Sequence, residues 1–156
     1  MKLKNYIAGQ WIEGSGNEIP LYNAVNGELV AISDTEGIDF ESALHYGRTV
    51  GYKNLSSMTF YDRGEMLKKV ALYLLERKKK YYELSYKTGA THTDSWVDIE
   101  GGFGTFFTYS GLAKRMLPNT PFWVDGDTQK ISASGTFLGT HILTPSEGVS
   151  VQINAY

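Results

Sequence analysis

The chain has 156 residues, 42% hydrophobic and 13% aromatic, a composition that can pack a core and is too apolar for a disordered tail. Its formal charge of -2 comes from 15 basic and 17 acidic residues that are mostly interspersed, which speaks against a nucleic-acid surface. With no cysteine, it offers no disulfide, no thiolate metal site and no thiol nucleophile.

The amino end, Met1-Lys2-Leu3-Lys4-Asn5, has no apolar leader behind its lysines. No stretch approaches the roughly 18 apolar residues of a spanning helix. A soluble cytoplasmic protein with no membrane partner is the expectation. Tyr6 to Ile12 flanks an Ala8-Gly9 pair with apolar residues and predicts a hairpin. A second extended piece from Glu18 to Leu21, the Asn26-Gly27 turn and a strand over Glu28 to Ser33 complete a small antiparallel β-meander.

At Asp39 the period changes. Phe40, Ala43, Leu44, Gly47 and Val50 recur at helical spacing behind an Asp39 cap, and this helix is expected to end near Gly51, with a loop through Ser56 and Ser57. Thr59 to Lys87 reads as one long helix with Met66, Leu67, Val70, Ala71, Leu74 and Leu75 on a single stripe, stopped by Thr88-Gly89. The basic run Arg77 to Lys80 lies inside it and reads as a solvated face. A third helix, capped by Thr93 or Asp94, runs to Met116 with Gly101, Gly102 and Gly104 near its centre. Each of those glycines weakens a helix by about 1 kcal/mol relative to alanine, so together they call for close packing or a cleft. After Pro118 and Pro121, Gln129 to Ala133 and Thr136 to Thr144 predict two strands around Ser134-Gly135, and Val149, Val151 and Ile153 a last one.

Residue chemistry alone assembles no complete active site. Gly102-x-Gly104 has Phe107 where a dinucleotide fingerprint needs its third glycine, and no strand precedes it. His92, Asp94, Asp98 and Glu100 have the composition of a metal cluster, yet their place around a helix start fits capping and solvation better. His45 and His141 have no serine or carboxylate at a recognisable spacing, so no hydrolytic triad can be drawn. The 11 tyrosines and three tryptophans lack a basic groove and read as packing residues.

Several strings, in order, resemble the amino-terminal part of the aldehyde dehydrogenase superfamily. "YIAGQWIEGSG" looks like its opening hairpin, "DFESALHYGRTVG" like its first helix, and "TFYDRGEMLKKVALYLLERKKKYYELSYKTGA" like its long second helix. "TDSWVDIEGGFGTFFTYSGLAKRMLP", "GTFLGTHILTP" and "GVSVQINAY" are similar to the dehydrogenase half of the PaaZ-type bifunctional proteins of bacterial phenylacetate degradation. That branch is favoured by Asn154-Ala155-Tyr156 standing where other members read closer to Thr-Pro-Trp.

The resemblance implies an α/β parent fold. Residues 1–126 would be the amino-terminal part of the cofactor-binding domain, 127–147 an oligomerisation β-arm, and 148–156 the start of the dinucleotide-binding sheet. It implies oxidation of a semialdehyde, CoA-linked in the PaaZ branch, through a cysteine thiolate with NAD or NADP as acceptor. The family's oxyanion asparagine would be the residue after Tyr156, and the cysteine and glutamate would follow later. The chain is therefore expected to be an inactive front portion that binds no cofactor alone, with the remainder of the dehydrogenase and further copies as partners. Ile153, Asn154, Ala155 and Tyr156 match the strand end beside the nicotinamide ribose, and Gly101, Gly102 and Gly104 would line the substrate tunnel. Two other readings stay open: a stand-alone binding or assembly module with this fold, and a small hydrolase using Ser110 or His141.

Overall fold

The computed structural model describes residues 1–154. Two short ribbons open the chain. β1 (Asn5–Ile7) pairs antiparallel with β2 (Gln10–Ile12) across Ala8 and Gly9, both at positive φ, the backbone form that a two-residue hairpin turn requires. β3 (Ile19–Tyr22) pairs with β4 (Leu29–Ser33), and Gly27 at φ 73° turns the chain between them. The expected continuous meander is thus two separate two-stranded sheets. A parallel bridge from Lys2 to Ile32 ties the amino end to β4.

Asp34 locks these ribbons together. It is 2% exposed, with Oδ1 accepting from Glu36 N–H (2.9 Å) and Oδ2 from Gly16 N–H (3.0 Å), and with Lys2 Nζ 3.1 Å from Oδ2. The Glu36 N–H, the Gly16 N–H and the Lys2 ammonium hold its carboxyl below the ordinary 3.8, against the opposing effect of burial. A glycine is needed at position 14 because a Cβ there would run into the Asp34 carboxyl group.

The Asp39 cap forms as expected, its side chain accepting from Ser42 N–H (2.9 Å), and starts α1 (Phe40–Tyr46). The helical path does not stop at Gly51. A π-helical turn, Gly47–Gly51, passes into α2 (Tyr52–Ser57), so the expected loop through Ser56 and Ser57 is helical.

The long helix is two helices. α3 (Phe60–Leu75) begins in a Thr59–Asp62 capping box, and α4 is Lys78–Tyr86. Arg77 makes the break: its backbone sits at φ -109°, ψ 8°, its guanidinium donates to Tyr73 O (2.9 Å) and stacks on the Tyr73 ring at 3.6 Å. That contact satisfies a carbonyl near the end of α3. α5 (His92–Met116) is capped two to three residues earlier than expected, by Thr91, with Asp94 as the reciprocal partner of its box.

α3 and α5 form the packed centre. Gly64 on α3 faces Ser110 and Ala113 on α5 so closely that an added Cβ would lie 3.0 Å from Ala113 Cβ. Ala71 and Phe103 are buried on the same two helices, and Tyr81 of α4 meets the Phe103 ring edge-on at 6.2 Å. The last ribbon pairs β5 (Trp123–Lys130) with β6 (Leu138–Leu143) antiparallel. Its first strand begins at Trp123 rather than Gln129, because the polar Asp125 to Thr128 stretch with its irregular register hides the strand pattern. Val149–Ile153, the expected last strand, lies outside every strand among the described residues and has no ladder partner there. The mixed helix and strand content agrees with the expected α/β class.

Candidate functional site

The three sequence-selected glycines lie together on α5. Gly101 and Gly104 are exposed, and an added Cβ at Gly101, Gly102 or Gly104 meets nothing within 4 Å. Close helix packing is therefore not their role among the described residues; Gly64 is the glycine that has it. Thr105 and Thr108 return their hydroxyls to Gly101 O (3.1 Å) and Gly104 O (2.9 Å), leaving an open strip of backbone without side-chain bulk.

Glu100 stands at the head of that strip. Its Oε1 accepts from Lys78 Nζ (2.9 Å) and from Tyr82 Oη (3.0 Å), both on α4. The Lys78 and Tyr82 bonds hold the Glu100 carboxyl below its ordinary value, while burial first, and then Glu100, pushes the Tyr82 phenol up. Tyr82 also stacks on His92 with ring centroids 5.4 Å apart, and Tyr86 Oη lies 2.9 Å from His92 Nδ1. Beneath them Ser85 and Ser95 share a hydrogen bond of 2.9 Å. This junction fixes α4 against the amino-terminal half of α5.

The composition of a metal cluster does not become one. Asp94 is committed to the Thr91 box, His92 to Tyr82 and Tyr86, and Glu100 to Lys78; no group of three candidate ligands forms among the described residues. Nor does a nucleophile and base pair form from Ser110 and His141. Ser110 is buried in the seam of α3 and α5, His141 is exposed on β6, and no hydrogen bond joins them.

Of the proposed cofactor contacts, Ile153 is 90% exposed and Asn154 is exposed, while Ala155 and Tyr156 lie outside the described residues. The glycine strip cannot take a dinucleotide phosphate either, since it sits inside a helix with its N–H groups engaged in the helical ladder rather than free at an N-terminus.

The family model described as "Aldehyde dehydrogenase family" matches residues 11–153, nearly the whole chain. The chain belongs to the aldehyde dehydrogenase family. It is 34% identical over 157 aligned residues to the 3,4-dehydroadipyl-CoA semialdehyde dehydrogenase of Aromatoleum evansii, covering all of this chain and 30% of that protein. It is 26% identical to malonate-semialdehyde dehydrogenase 1 of Bacillus anthracis, over 80% of this chain and 27% of that one. The chain thus spans less than a third of the length of these curated relatives. Among solved structures, a 3,6-anhydro-L-galactose dehydrogenase in complex with NAP aligns with a TM-score of 0.69 at 21% identity, over 85% of this chain and 27% of that one. An NAD-dependent benzaldehyde dehydrogenase from Corynebacterium glutamicum aligns at 0.65 and 18%, over 81% and 27%. At those identities the structural likeness speaks to the fold, and it agrees with the α/β class read from the sequence.

Aldehyde dehydrogenases of this family use NAD or NADP. Among the described residues no helix is long and apolar enough to cross a membrane. Sequence reasoning missed two features of the site region. Gly64 could have been found as a glycine interrupting an otherwise strong helical stripe, and the Glu100 junction as tyrosines and a lysine recurring at helical spacing on α4.

Proposed function

We propose that this chain is the amino-terminal framework of a cytoplasmic, NAD(P)-dependent aldehyde dehydrogenase that oxidises a CoA-linked semialdehyde to the acid. The observation that carries the framework role is its surface. A compact monomer of 17.4 kDa exposes about 7,900 Å²; this chain exposes 11944 Å². Tyr22, Trp11, Trp96, Tyr109 and Phe137 are all exposed, which fits a piece whose faces are covered by further polypeptide. The substrate class rests on the likeness of the whole of this chain to 30% of a CoA-semialdehyde dehydrogenase.

The nicotinamide cofactor would supply the hydride acceptor. This chain's own share is positional: α5 presents the open strip, and the Lys78–Glu100–Tyr82 junction fixes α5 against α4. The thiolate step needs a cysteine, which these 156 residues do not contain, so the nucleophile must come from elsewhere in the enzyme. Under this reading the strip admits the slender pantetheine arm of a CoA thioester. The ribbon of β5 and β6, with both edges free among the described residues, pairs with a neighbouring copy.

Reading the gene beyond the Tyr156 codon tests the framework role: continuation into Asn-Phe-Pro and a later cysteine is expected. A stop codon there contradicts it and favours a stand-alone binding or assembly module. In the complete enzyme Gly101→Leu should raise KM severalfold for a CoA-linked semialdehyde and leave a small free aldehyde nearly unaffected. Equal changes for both substrates would remove the tunnel role.

A further inference from the structure

The turn between β3 and β4 carries Asn26-Gly27, the one asparagine–glycine pair in the chain. The glycine is explained by its backbone, which sits at φ 73°. The asparagine is not, since Asn26 is not at positive φ and the turn makes no such demand on it. Its side chain is instead held from both ends by one neighbour. Asn26 Oδ1 accepts from the Glu28 N–H (3.1 Å), and Asn26 Nδ2 donates to Glu28 Oε2 (3.0 Å). Asn26, Gly27 and Glu28 are all exposed, so water reaches each of them.

An asparagine side chain next to a glycine nitrogen can react with its own backbone. Gly27 N and Asn26 Cγ close a five-membered ring, a step in which no second molecule has to be brought up, and glycine puts no Cβ in the way. One contact of the turn favours the step: the Glu28 N–H already points at the oxygen on which negative charge gathers when Cγ becomes tetrahedral. One contact opposes it. The Gly27 N–H donates to Asn23 O (2.8 Å), which keeps the proton on the attacking nitrogen and away from water. The opposing bond decides the rate, because the nitrogen has to be released before the placed oxygen matters.

We propose that Asn26 is a site of spontaneous deamidation, gated by opening of the hydrogen bond from Gly27 to Asn23. The Gly27 nitrogen gives up its proton and bonds to Asn26 Cγ, the Cγ–Nδ2 bond breaks, and Nδ2 leaves with a proton in place of the one lost, as ammonia. Water then opens the succinimide at one of its two carbonyls, giving aspartate or isoaspartate; nothing is oxidised or reduced. Aspartate sets a carboxylate where Nδ2 donated to Glu28, so an attraction becomes a like-charge contact. Isoaspartate adds a methylene to the main chain inside the turn whose Asn23 N–H donates to Glu28 O (2.8 Å) at the mouth of the β3–β4 pairing. Both products loosen the hairpin. The site stands on the bonds of this turn and is independent of the dehydrogenase reading above.

The test incubates the 156-residue chain at mildly alkaline pH, in native buffer and in parallel unfolded in urea, and follows every asparagine by peptide mass spectrometry with separation of aspartate from isoaspartate. In native buffer Asn26 is expected to convert at least about tenfold faster than any other asparagine, as the one followed by glycine. It is expected to convert more slowly there than in urea, with both acids formed. Asn26→Gln, which cannot close the five-membered ring, loses the fast conversion. Native conversion of Asn26 no faster than that of the other asparagines overturns the site, and so does aspartate without isoaspartate. Conversion as fast in native buffer as in urea overturns the gate. These outcomes are read on the wild-type chain and hold even if the glutamine variant misfolds.

Discussion

The seam of α3 and α5 and the ribbon of β5 and β6 show two ways in which one chain uses its residues. In the seam, Gly64, Ala71, Ser110 and Ala113 are small and buried, so two helix backbones approach closely and Phe103 fills the space beside them. Its order comes from contacts that lie within the chain. In the ribbon every residue of β5 is exposed, and Phe137, Leu138 and Ile142 cover no core. An isolated two-stranded ribbon is marginal in water, so its persistence depends on what is laid against it. The seam is held by contacts within the chain, while the ribbon, under the function proposed above, awaits a partner strand.

The sharpest way to break this contrast is to empty the seam. Phe103→Ala removes the largest buried side chain there and should cost about 3 kcal/mol, read as a lowered midpoint in urea unfolding. Gly64→Leu attacks the same place by overfilling it; pushing the helices apart against Ala113 and the Ser110 carbonyl should cost about 2 kcal/mol in the same measurement.

A graded effect is expected from acid. Asp34 has a folded-state pKa below the ordinary 3.8, so the stability it contributes is complete above that value and is lost as pH falls through the lower folded value. Lys2, raised above 10.5 chiefly by its bond to Asp34, contributes below 10.5 and loses its share only as pH rises through its higher folded value. Thermal melts between pH 2 and 7 (~5 pH units) should show the amino-terminal ribbons loosening at the acid end, with Asp34→Asn flattening the dependence on pH. The smallest effect belongs to the ribbon. Thr140→Val breaks the 2.9 Å hydroxyl contact with Thr128 on an exposed face and should change the chain's own stability by less than about 0.5 kcal/mol.

Local signals in the sequence carried much of this architecture. Asp39 before Phe40 and Asn26-Gly27 each encode a cap or a turn within a few residues and form as expected, whereas of the stripe from Met66 to Leu75 only Ala71 is buried, with Met66 and Val70 exposed. The Thr91-x-x-Asp94 box was equally local, but Thr93 and Asp94 compete for the same role and only the backbone at Thr91 decides it. The break at Arg77 depends on one side chain turning back onto Tyr73, against a helical pattern that continues through it.

Features built from distant residues were not legible. Asp34 joins Lys2, Gly16 and Glu36 through three loops, and the strand at Trp123 to Lys130 is defined by pairing with β6 and not by alternation. The same holds for the candidate site. Three glycines in a helix asked for an explanation, but only the placement of Gly64 separates packing from open space.

Hydrogen exchange of this chain at low and high protein concentration tests the contrast most directly. The account predicts slow exchange along α3 and α5 at every concentration, with Trp123–Lys130 and Leu138–Leu143 exchanging fast when dilute and becoming protected as concentration rises. Ribbon amides as protected as those of α5 in dilute, monomeric solution would contradict it.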